Sequence, residues 1–286
     1  KEMNFEGHNI IKSKAVDPKT KMTVYKYEFN DIPPVFNEEN SPGRTYLYPH
    51  ILVLAKSYEF DGKKTNLFNS TADLYKWYKS LVDAMNDDPE QLKAKVNELT
   101  ASAKTDEEKI KNIYYWVQDN IRYIAFEDGI AGFKPDVSQN VFNKRYGDCK
   151  GMANLIKQML VLAGFDARLT WIGTKHIAYD YSIASLSTDN HMICTLYYKG
   201  KPIFLDGTEK FNSFGEYAER IQNKEVMIED GEKYIILKVP TSSVVENKET
   251  FTANLKINED KLVGTCQRTF TGESRSQFQN IYNSFE

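Results

Sequence analysis

The stretch Tyr146-Gly147-Asp148-Cys149-Lys150 ends a loop rich in turn formers and begins a strongly helical segment. A thiol at a helix N-terminus lies beside unpaired backbone N–H groups and the positive end of the helix dipole, which favour the thiolate. The stretch therefore predicts a helix that starts with a reactive cysteine, although an arbitrary cysteine more often only packs. Apolar residues at helical spacing support the helix, and a glycine follows as a natural C-cap: Met152, Leu155, Ile156, Met159, Leu160, Ala163 and Gly164.

Two strands downstream carry a histidine and an acid. His191 begins the first strand, Asp206 ends the second, and Lys199-Gly200 between them has the form of a two-residue hairpin turn. Tyr198 then pairs with Lys201, and this register brings His191 and Asp206 to the same face of the sheet, as diagonal neighbours with a Cα separation of roughly 7–8 Å. A charged acid on an otherwise apolar hairpin needs a partner, and the histidine is the nearest one.

A cysteine, a histidine and an acid in this order are the parts of an activated-thiol site. Cys149 is the expected nucleophile, His191 the base, and Asp206 the group that orients the imidazole. His176 is the rival base, but it lies in a loop with no acid at a fixed spacing. Zn²⁺ accepts all three ligand types, so a metal site is the alternative; we expect no metal and no cofactor.

Three further residues are candidates for binding substrate or an oxyanion: Tyr123, Gln118 and Asp148. Gln118 has a second interpretation as part of a solvated helix face. The glycine-containing loop Glu127–Pro135 is expected to form the rim of the cleft. Cys194 lies in mid-strand on the face opposite His191 and is expected to be buried and inert, and Cys266 is expected to be structural.

Composition narrows the classes of function. The chain has 286 residues, 41% hydrophobic and 27% charged, with a net charge of −3, and this length predicts two or three domains. The mixed charges give no basic footprint for nucleic acid or anionic lipid. No apolar run reaches the ~18–20 residues of a membrane span. The three cysteines cannot form a disulfide framework.

Because the chain begins at Lys1 and stops within a helical pattern at Ser284-Phe285-Glu286, we expect a fragment of a longer or processed protein.

The regions on either side of the helical segment are rich in β patterns. Lys21–Phe29 alternates as a strand, the apolar stretch Pro49–Ala55 follows it, and Thr71 is the expected N-cap of the first long helix. After a linker, β patterns return at Glu225–Ile228 and Tyr234–Val239 and continue toward the end of the chain.

Three motifs resemble those of the transglutaminase-like superfamily. They are the segment Tyr146–Gly151 before a helix, Asn190-His191 at the head of a strand, and Leu205-Asp206-Gly207-Thr208. The segment Tyr114–Tyr123 is similar to the lead-in helix of that superfamily's bacterial branch of large multidomain proteins, and Asp31–Pro34 with Trp77 resembles the end of its N-terminal domain. The sequence departs from the branch at Gly151, where an acid is frequent, and at Gly207, where a proline is frequent.

The resemblance implies an α+β fold with a papain-like core, in which the helix bearing the cysteine packs on an antiparallel sheet, flanked by β-rich domains. Residues 1–70 are then the C-terminal part of an N-terminal β-rich domain, 71–225 the core, and 226–286 the start of a C-terminal β-rich domain. The implied activity is thiol acyl transfer on peptide or protein amide bonds, by hydrolysis or transfer, with Cys149, His191 and Asp206 as the catalytic residues. The alternative is a catalytically silent interaction or scaffold module of the bacterial cell envelope. Resemblance favours an extracytoplasmic location, and the oligomeric state is left open.

Overall fold

The computed structural model describes residues 10–36, 38 and 41–283. Its described residues form two compact units, and the first comprises those up to Leu67 together with His176–Ala178. This unit contains two antiparallel hairpins and one short helix: β1 (Ile10–Val16) with β2 (Thr23–Phe29), α1 (Arg44–Leu47), and β3 (Ser57–Phe60) with β4 (Lys63–Asn66).

The second unit comprises Phe68–Lys175 and the described residues from Tyr179 onward. Its helices and strands mix along the chain, and 3₁₀ turns occur at Pro89–Leu92, Gly129–Gly132 and Glu219–Ile221. The elements are α2 (Thr71–Asp83), α3 (Lys93–Thr100), α4 (Asp106–Asn120), β5 (Arg122–Tyr123), α5 (Ser138–Lys144), β6 (Tyr146–Gly147), α6 (Cys149–Leu162), β7 (Asp166–Ile172), β8 (His191–Tyr198), β9 (Lys201–Leu205), β10 (Glu225–Asp230), β11 (Lys233–Lys238), β12 (Glu249–Asn258), β13 (Lys261–Phe270) and α7 (Gly272–Asn283).

A five-stranded antiparallel sheet with the order β11-β10-β7-β8-β9 organises the second unit. The helix α6 packs on β7 and β8, so the predicted architecture of a cysteine-bearing helix on an antiparallel sheet is confirmed. The face of the sheet toward the helices contributes Leu169, Trp171, Met192, Cys194, Leu196 and Leu205 to two buried clusters with α2, α4 and α6. The chain that follows β9 covers the opposite face of the sheet. That face contributes five residues to a third buried cluster: Ile172, Ile193, Phe204, Val226 and Ile228.

The hairpin of β8 and β9 has the register that the sequence predicts. Tyr198 pairs with Lys201 and Cys194 with Leu205. Lys199 and Gly200 have φ values of 51° and 73°, as a type I′ turn requires. Since side chains alternate along a strand, His191 shares the face of Ile193, and Asp206 shares the face of Phe204. Both side chains therefore belong to the face covered by residues 218–221.

The start of α2 differs from the prediction by one residue. Ser70, not Thr71, is the N-cap, and its side chain accepts the Asp73 N–H while the Asp73 carboxylate accepts the Ser70 N–H. Both residue types are suitable caps, and the reciprocal capping box selects Ser70 because an acid lies three residues after it.

The two strands β10 and β11, which the sequence analysis assigned to a C-terminal domain after residue 225, lie in the core sheet. Val226, Met227 and Ile228 pair with β7 and are fully buried. The boundary was misplaced because a strand pattern after a linker looks the same in a new domain and in an added edge of an existing sheet.

The apolar stretch Pro49–Ala55 forms no regular strand; Ile51 makes a single bridge. The predicted helical ending at 284–286 lies outside the described residues. Among the residues that the structure describes, no helix is both long enough and apolar enough to cross a membrane.

Candidate active site

Cys149 is the first residue of α6, and Asp148 is the N-cap of that helix. The Asp148 carboxylate accepts the Gly151 N–H at 2.9 Å and forms a buried salt bridge with Lys150. Because this cap fixes the first turn, the thiol stands in one orientation at the positive end of the helix dipole. Cys149 is buried, with 8% of its surface exposed. Asp148 is a predicted contact of substrate or an oxyanion, but its carboxylate interacts here with the Gly151 N–H and with Lys150.

Tyr123 stands beside the thiol. The short strand β5 pairs in parallel with β6, which places Tyr123 opposite Gly147, two residues before Cys149. Burial raises the pKa of the Tyr123 phenol, and the negative charge of the Cys149 thiolate raises it further. Tyr123 is nevertheless 46% exposed, so its ring lies at the protein surface near the cysteine.

His191 and Asp206 form a buried pair. The His191 Nε2 lies 2.8 Å from one Asp206 carboxylate oxygen, and both residues are less than a tenth exposed. The second carboxylate oxygen accepts the backbone N–H of Thr208 at 3.1 Å and its hydroxyl at 2.7 Å. Both carboxylate oxygens of Asp206 are therefore fixed by hydrogen bonds, and Asp206 in turn fixes the orientation of the His191 imidazole.

The pair stabilises charge on both partners. Burial disfavours the protonated form of His191, but the charge of Asp206 and its hydrogen bond outweigh burial and raise the His191 pKa to about 9. Hydrogen bonding with the Cys149 thiol acts in the same direction. Burial likewise disfavours ionised Asp206, but His191 and then Arg220 hold its pKa well below the usual value.

The three predicted residues therefore come together in space. Since Nε2 of His191 faces Asp206, Nδ1 is the ring nitrogen left to face the cysteine. A thiol next to an imidazole that is hydrogen-bonded to a carboxylate is an arrangement that can move a proton from sulfur and return it to a leaving group.

Arg220 is a site residue that the sequence analysis missed. Its Nη2 donates to Asp206 at 3.0 Å and to the Thr208 hydroxyl at 2.8 Å, and it lies 3.3 Å from His191 Nε2. Its Nε donates to Glu209 at 2.7 Å. The 3₁₀ turn Glu219–Ile221 brings it there, within a segment that showed only the features of a linker, so no local signal distinguished it from a surface arginine.

Gln118 holds the loop after β9. Its side-chain nitrogen donates to the backbone carbonyls of Glu209 at 2.7 Å and Asn212 at 3.1 Å, and the residue is 5% exposed. The interpretation of Gln118 as part of a solvated helix face is wrong, because α4 turns this residue toward the loop. On the same helix, the Tyr114 hydroxyl donates to the Asp206 carbonyl at 3.0 Å.

Cys149 and His191 line a common cleft of about 320 Å³. Glu127, Gly132 and Phe133 also line it, so the prediction that the loop Glu127–Pro135 forms its rim is confirmed. The remaining lining residues come from α2, the start of α6, β7, the chain before β8 and β8 itself: Tyr78, Lys150, Trp171, Leu186, Asp189, Asn190 and Met192.

The other candidate nucleophiles and bases lie elsewhere. Cys194 is fully buried on the helix-facing side of the sheet, and burial raises its thiol pKa to about 12. Cys266, expected to be structural, is a free cysteine exposed on β13. His176 is exposed in the other compact unit. Within residues 10–36, 38 and 41–283, no group of three potential ligands from His, Cys, Asp and Glu is arranged to hold a metal ion.

Comparison with known proteins gives a family and a fold. The sequence model described as the transglutaminase-like superfamily matches residues 93–201, which include Cys149 and His191. No curated protein gives a significant match. A solved structure from Parabacteroides distasonis, described as a “putative protease”, is similar over 89% of this chain with a TM-score of 0.55 and 13% identity. This chain spans 48% of that protein, and at such identity the likeness shows the fold alone.

Two further solved structures are less similar. One, described as a “putative cysteine protease” from Cytophaga hutchinsonii, is 18% identical over 45% of this chain and 40% of its own, with a TM-score of 0.34. The other, described as a TGase, is 16% identical over 55% of this chain and 42% of its own, with a TM-score of 0.31. The match to the family model agrees with the residue motifs: residues 93–201 are similar to the transglutaminase-like superfamily.

Proposed function

We propose that the protein is a thiol acyl-transfer enzyme that acts on amide bonds of peptides or proteins. The observation that supports the proposal is the cleft that Cys149 and His191 line together, with Cys149 at the start of α6 and His191 hydrogen-bonded to the buried Asp206. A buried ion pair of this kind costs desolvation energy. Buried histidine and aspartate with strongly shifted pKa values next to a thiol in a cleft are typical of a reaction site.

The first half of the reaction forms a thioester. The Cys149 thiolate attacks the amide carbonyl carbon, and the developing oxyanion is stabilised by backbone N–H groups at the start of α6. His191, protonated after taking the thiol proton, donates that proton to the leaving nitrogen as the C–N bond breaks. Asp206 keeps the imidazole oriented and stabilises its positive charge. Arg220 and Thr208 keep Asp206 ionised and fixed.

The second half consumes the thioester. His191 takes a proton from water or from an acceptor amine, the nucleophile attacks the thioester carbonyl, and the thiolate leaves. Water as nucleophile gives hydrolysis, and an amine gives transfer. The choice depends on how well the occupied cleft excludes water.

The proposal is tested by product analysis. Wild type and Cys149→Ala are incubated with a peptide and muropeptide library, with and without a primary amine, and products are identified by mass spectrometry. We expect cleaved or amine-transferred products from wild type alone, and a mass increase on Cys149 when the reaction is stopped with acid. Wild-type products equal to those of Cys149→Ala would sink the proposal and favour a catalytically silent binding module.

Thiol labelling provides an independent test. Brief iodoacetamide treatment at neutral pH should alkylate Cys149 faster than the exposed Cys266, and far faster than the buried Cys194. The matched control is His191→Gln, which should slow alkylation of Cys149 and leave the rate at Cys266 unchanged. Equal rates at Cys149 and Cys266 in wild type would contradict an activated thiol.

A further inference from the structure

One wall of the cleft carries an acid that the reaction scheme does not use. Asp189 lies two residues before His191 and lines the same cleft of about 320 Å³ as Cys149 and His191. Asp189 is half-buried, and burial raises the pKa of its carboxyl to about 7. A carboxylate in such surroundings is ionised near neutral pH only in part, and a nearby cation would favour the ionised form.

Two phenols hold the Asp189 carboxylate in place. The Tyr78 hydroxyl donates to Oδ1 at 2.8 Å, and the Tyr181 hydroxyl donates to Oδ2 at 3.0 Å. Both tyrosines are buried, and Tyr78 stacks on Trp171 with ring centroids 5.1 Å apart. These neutral donors fix the direction of the carboxylate and lower its pKa, but they do not neutralise its charge.

The basic residues that line this cleft, Lys150 and His191, are paired with other acids, Asp148 and Asp206. Among the residues that the structure describes, no lysine, arginine or histidine forms an ion pair with Asp189. Glu127 at the rim is a second acidic residue of the same cleft. A half-buried charge that is oriented by two hydrogen bonds and lacks a counter-ion is stabilised when a ligand supplies one.

The remaining walls fit an aliphatic chain. Trp171, Phe133 and Leu186 line the cleft with apolar surface. A pocket with apolar walls and a single fixed charge selects a ligand with an alkyl segment and one group of opposite charge. The ligand that matches is an alkylammonium group, from a free peptide N-terminus or from a lysine-like side chain.

We propose that Asp189 is a specificity-determining residue that binds the ammonium group of the substrate beside the reacting Cys149. This inference rests on the proposed function, because it names the class of amide that the same site accepts: one with a positively charged amino group close to the scissile bond. Held by two tyrosines, the carboxylate is placed in advance and loses little freedom when the ammonium group arrives.

The test uses two thiol reagents that differ in charge and need no turnover. Cys149 is modified by 2-aminoethyl methanethiosulfonate, which is cationic, or by 2-hydroxyethyl methanethiosulfonate, which is neutral and of similar size. In both reactions the thiolate attacks sulfur, a disulfide forms, and methanesulfinate leaves. The ratio of the two rate constants cancels the fraction of Cys149 that is ionised, so it reports the charge preference of the cleft.

We expect the cationic reagent to be favoured in wild type, and Asp189→Asn to lower the ratio about tenfold, as a nearby charge in a low-dielectric cleft would. Asp128→Asn, an exposed acid next to the rim, is the matched control and should change the ratio less than twofold. In wild type the ratio should fall as the pH is lowered through about 7 and Asp189 becomes protonated. It should stay flat in Asp189→Asn, since burial raises the pKa values of Tyr78 and Tyr181 and keeps them neutral, and His191, with a pKa of about 9, stays protonated through this range.

A merely structural role for Asp189 would change both rate constants together and leave the ratio and its pH dependence as in wild type, which would overturn the inference. The same conclusion follows if neither reagent modifies Cys149, because a cleft closed to both is closed to a substrate ammonium group. If the charge preference is present and no amide is turned over, the binding role stands and the proposed reaction fails. If amides are turned over but the charge preference is absent, the proposed reaction stands and the binding role of Asp189 fails.

Competition distinguishes the two sources of the ammonium group. Nα-acetyl-lysine methylamide carries it on the side chain, norleucine methylamide carries it at the N-terminus, and Nα-acetyl-norleucine methylamide is the neutral control. We expect one of the two cations to protect Cys149 from the neutral reagent at least fivefold better than the control does, and Asp189→Asn to abolish the difference. Equal protection by all three would contradict recognition of an ammonium group.

Discussion

At the scale of single residues, the ionisation of His191 links the site to the stability of the fold. Its pKa is raised to about 9, from about 6.5 in an unfolded chain, so the folded state binds the proton more tightly. The stabilising contribution is therefore complete below about pH 6.5 and is lost as the pH rises through about 9. Since His191 is buried with Asp206, this contribution is not screened by solvent.

This linkage gives a pH prediction. The free energy of unfolding of wild type should fall by a few kcal/mol, on the order of 3, between pH 6.5 and 9.5. His191→Gln should remove most of that fall, whereas His176→Gln, at an exposed histidine, should keep it. Urea denaturation at three pH values measures the difference. A fall of the same size in His191→Gln would contradict the assignment of the raised pKa.

Arg220 gives a second prediction, about positioning. Arg220→Gln removes the donor that holds Asp206 and Thr208, so kcat/KM should fall about three- to tenfold through misalignment of the pair. The loss of a cation 3.3 Å from His191 Nε2 should also raise the His191 pKa further. An NMR titration of the His191 ring measures that shift, which a merely structural role would not produce. Arg122→Gln is the control, and an unchanged titration in Arg220→Gln would argue against the role.

The residues differ in how far the sequence could predict them. Cys149 was predictable because its signal is local: a capping acid, a helix start and an apolar stripe within one segment. His191 and Asp206 were predictable because a two-residue turn fixes which of their neighbours pair. Arg220 and Asp189 were not, since no turn or regular spacing in the sequence links either residue to its partners: Asp206 and Thr208 for the first, Tyr78 for the second.

At the scale of elements, the start of α6 is packed against α5 through a glycine. A Cβ at Gly151 would lie 2.9 Å from Cγ2 of Val141, a buried residue of α5. This contact gives a physical reason for the departure noted at Gly151, where the bacterial branch often carries an acid. A side chain here would push α5 away from the turn that presents Cys149.

The contact predicts a coupled pair of substitutions. Gly151→Ala should destabilise the protein by about 1–2 kcal/mol, because overpacking outweighs the better helix propensity of alanine. Val141→Ala alone should also destabilise it by leaving a cavity. The double variant should be more stable than the sum of the two losses implies, since the added methyl group fills part of the vacated space. Denaturant titration of all four proteins completes the cycle, and strict additivity would refute the contact.

At the scale of the whole molecule, the core sheet reaches beyond the boundary that the sequence suggests. Strand β10 lies between β7 and β11, so it is an interior strand of the sheet that carries His191. Both β10 and β11 are recognisable as strands from the sequence. The pairing of β10 with β7 is not, because it joins residues more than fifty positions apart and depends on tertiary packing.

Two truncated chains test which residues the core needs. A fragment of residues 71–225 lacks β10 and with it the buried side chains of Val226, Met227 and Ile228. Burial of these three stabilises the fold by roughly 1.5–3 kcal/mol each, a total comparable with the whole stability of a domain, so this fragment should not fold cooperatively.

A fragment of residues 68–239 keeps the five strands and should fold, as circular dichroism and thermal denaturation would show. If Cys149 in the longer fragment keeps its alkylation rate, the hairpin of β12 and β13 and the helix α7 are accessory to the site. A folded fragment with an unreactive thiol would mean that the chain after residue 239 helps to build it, and cooperative folding of 71–225 would show that the sheet does not depend on β10.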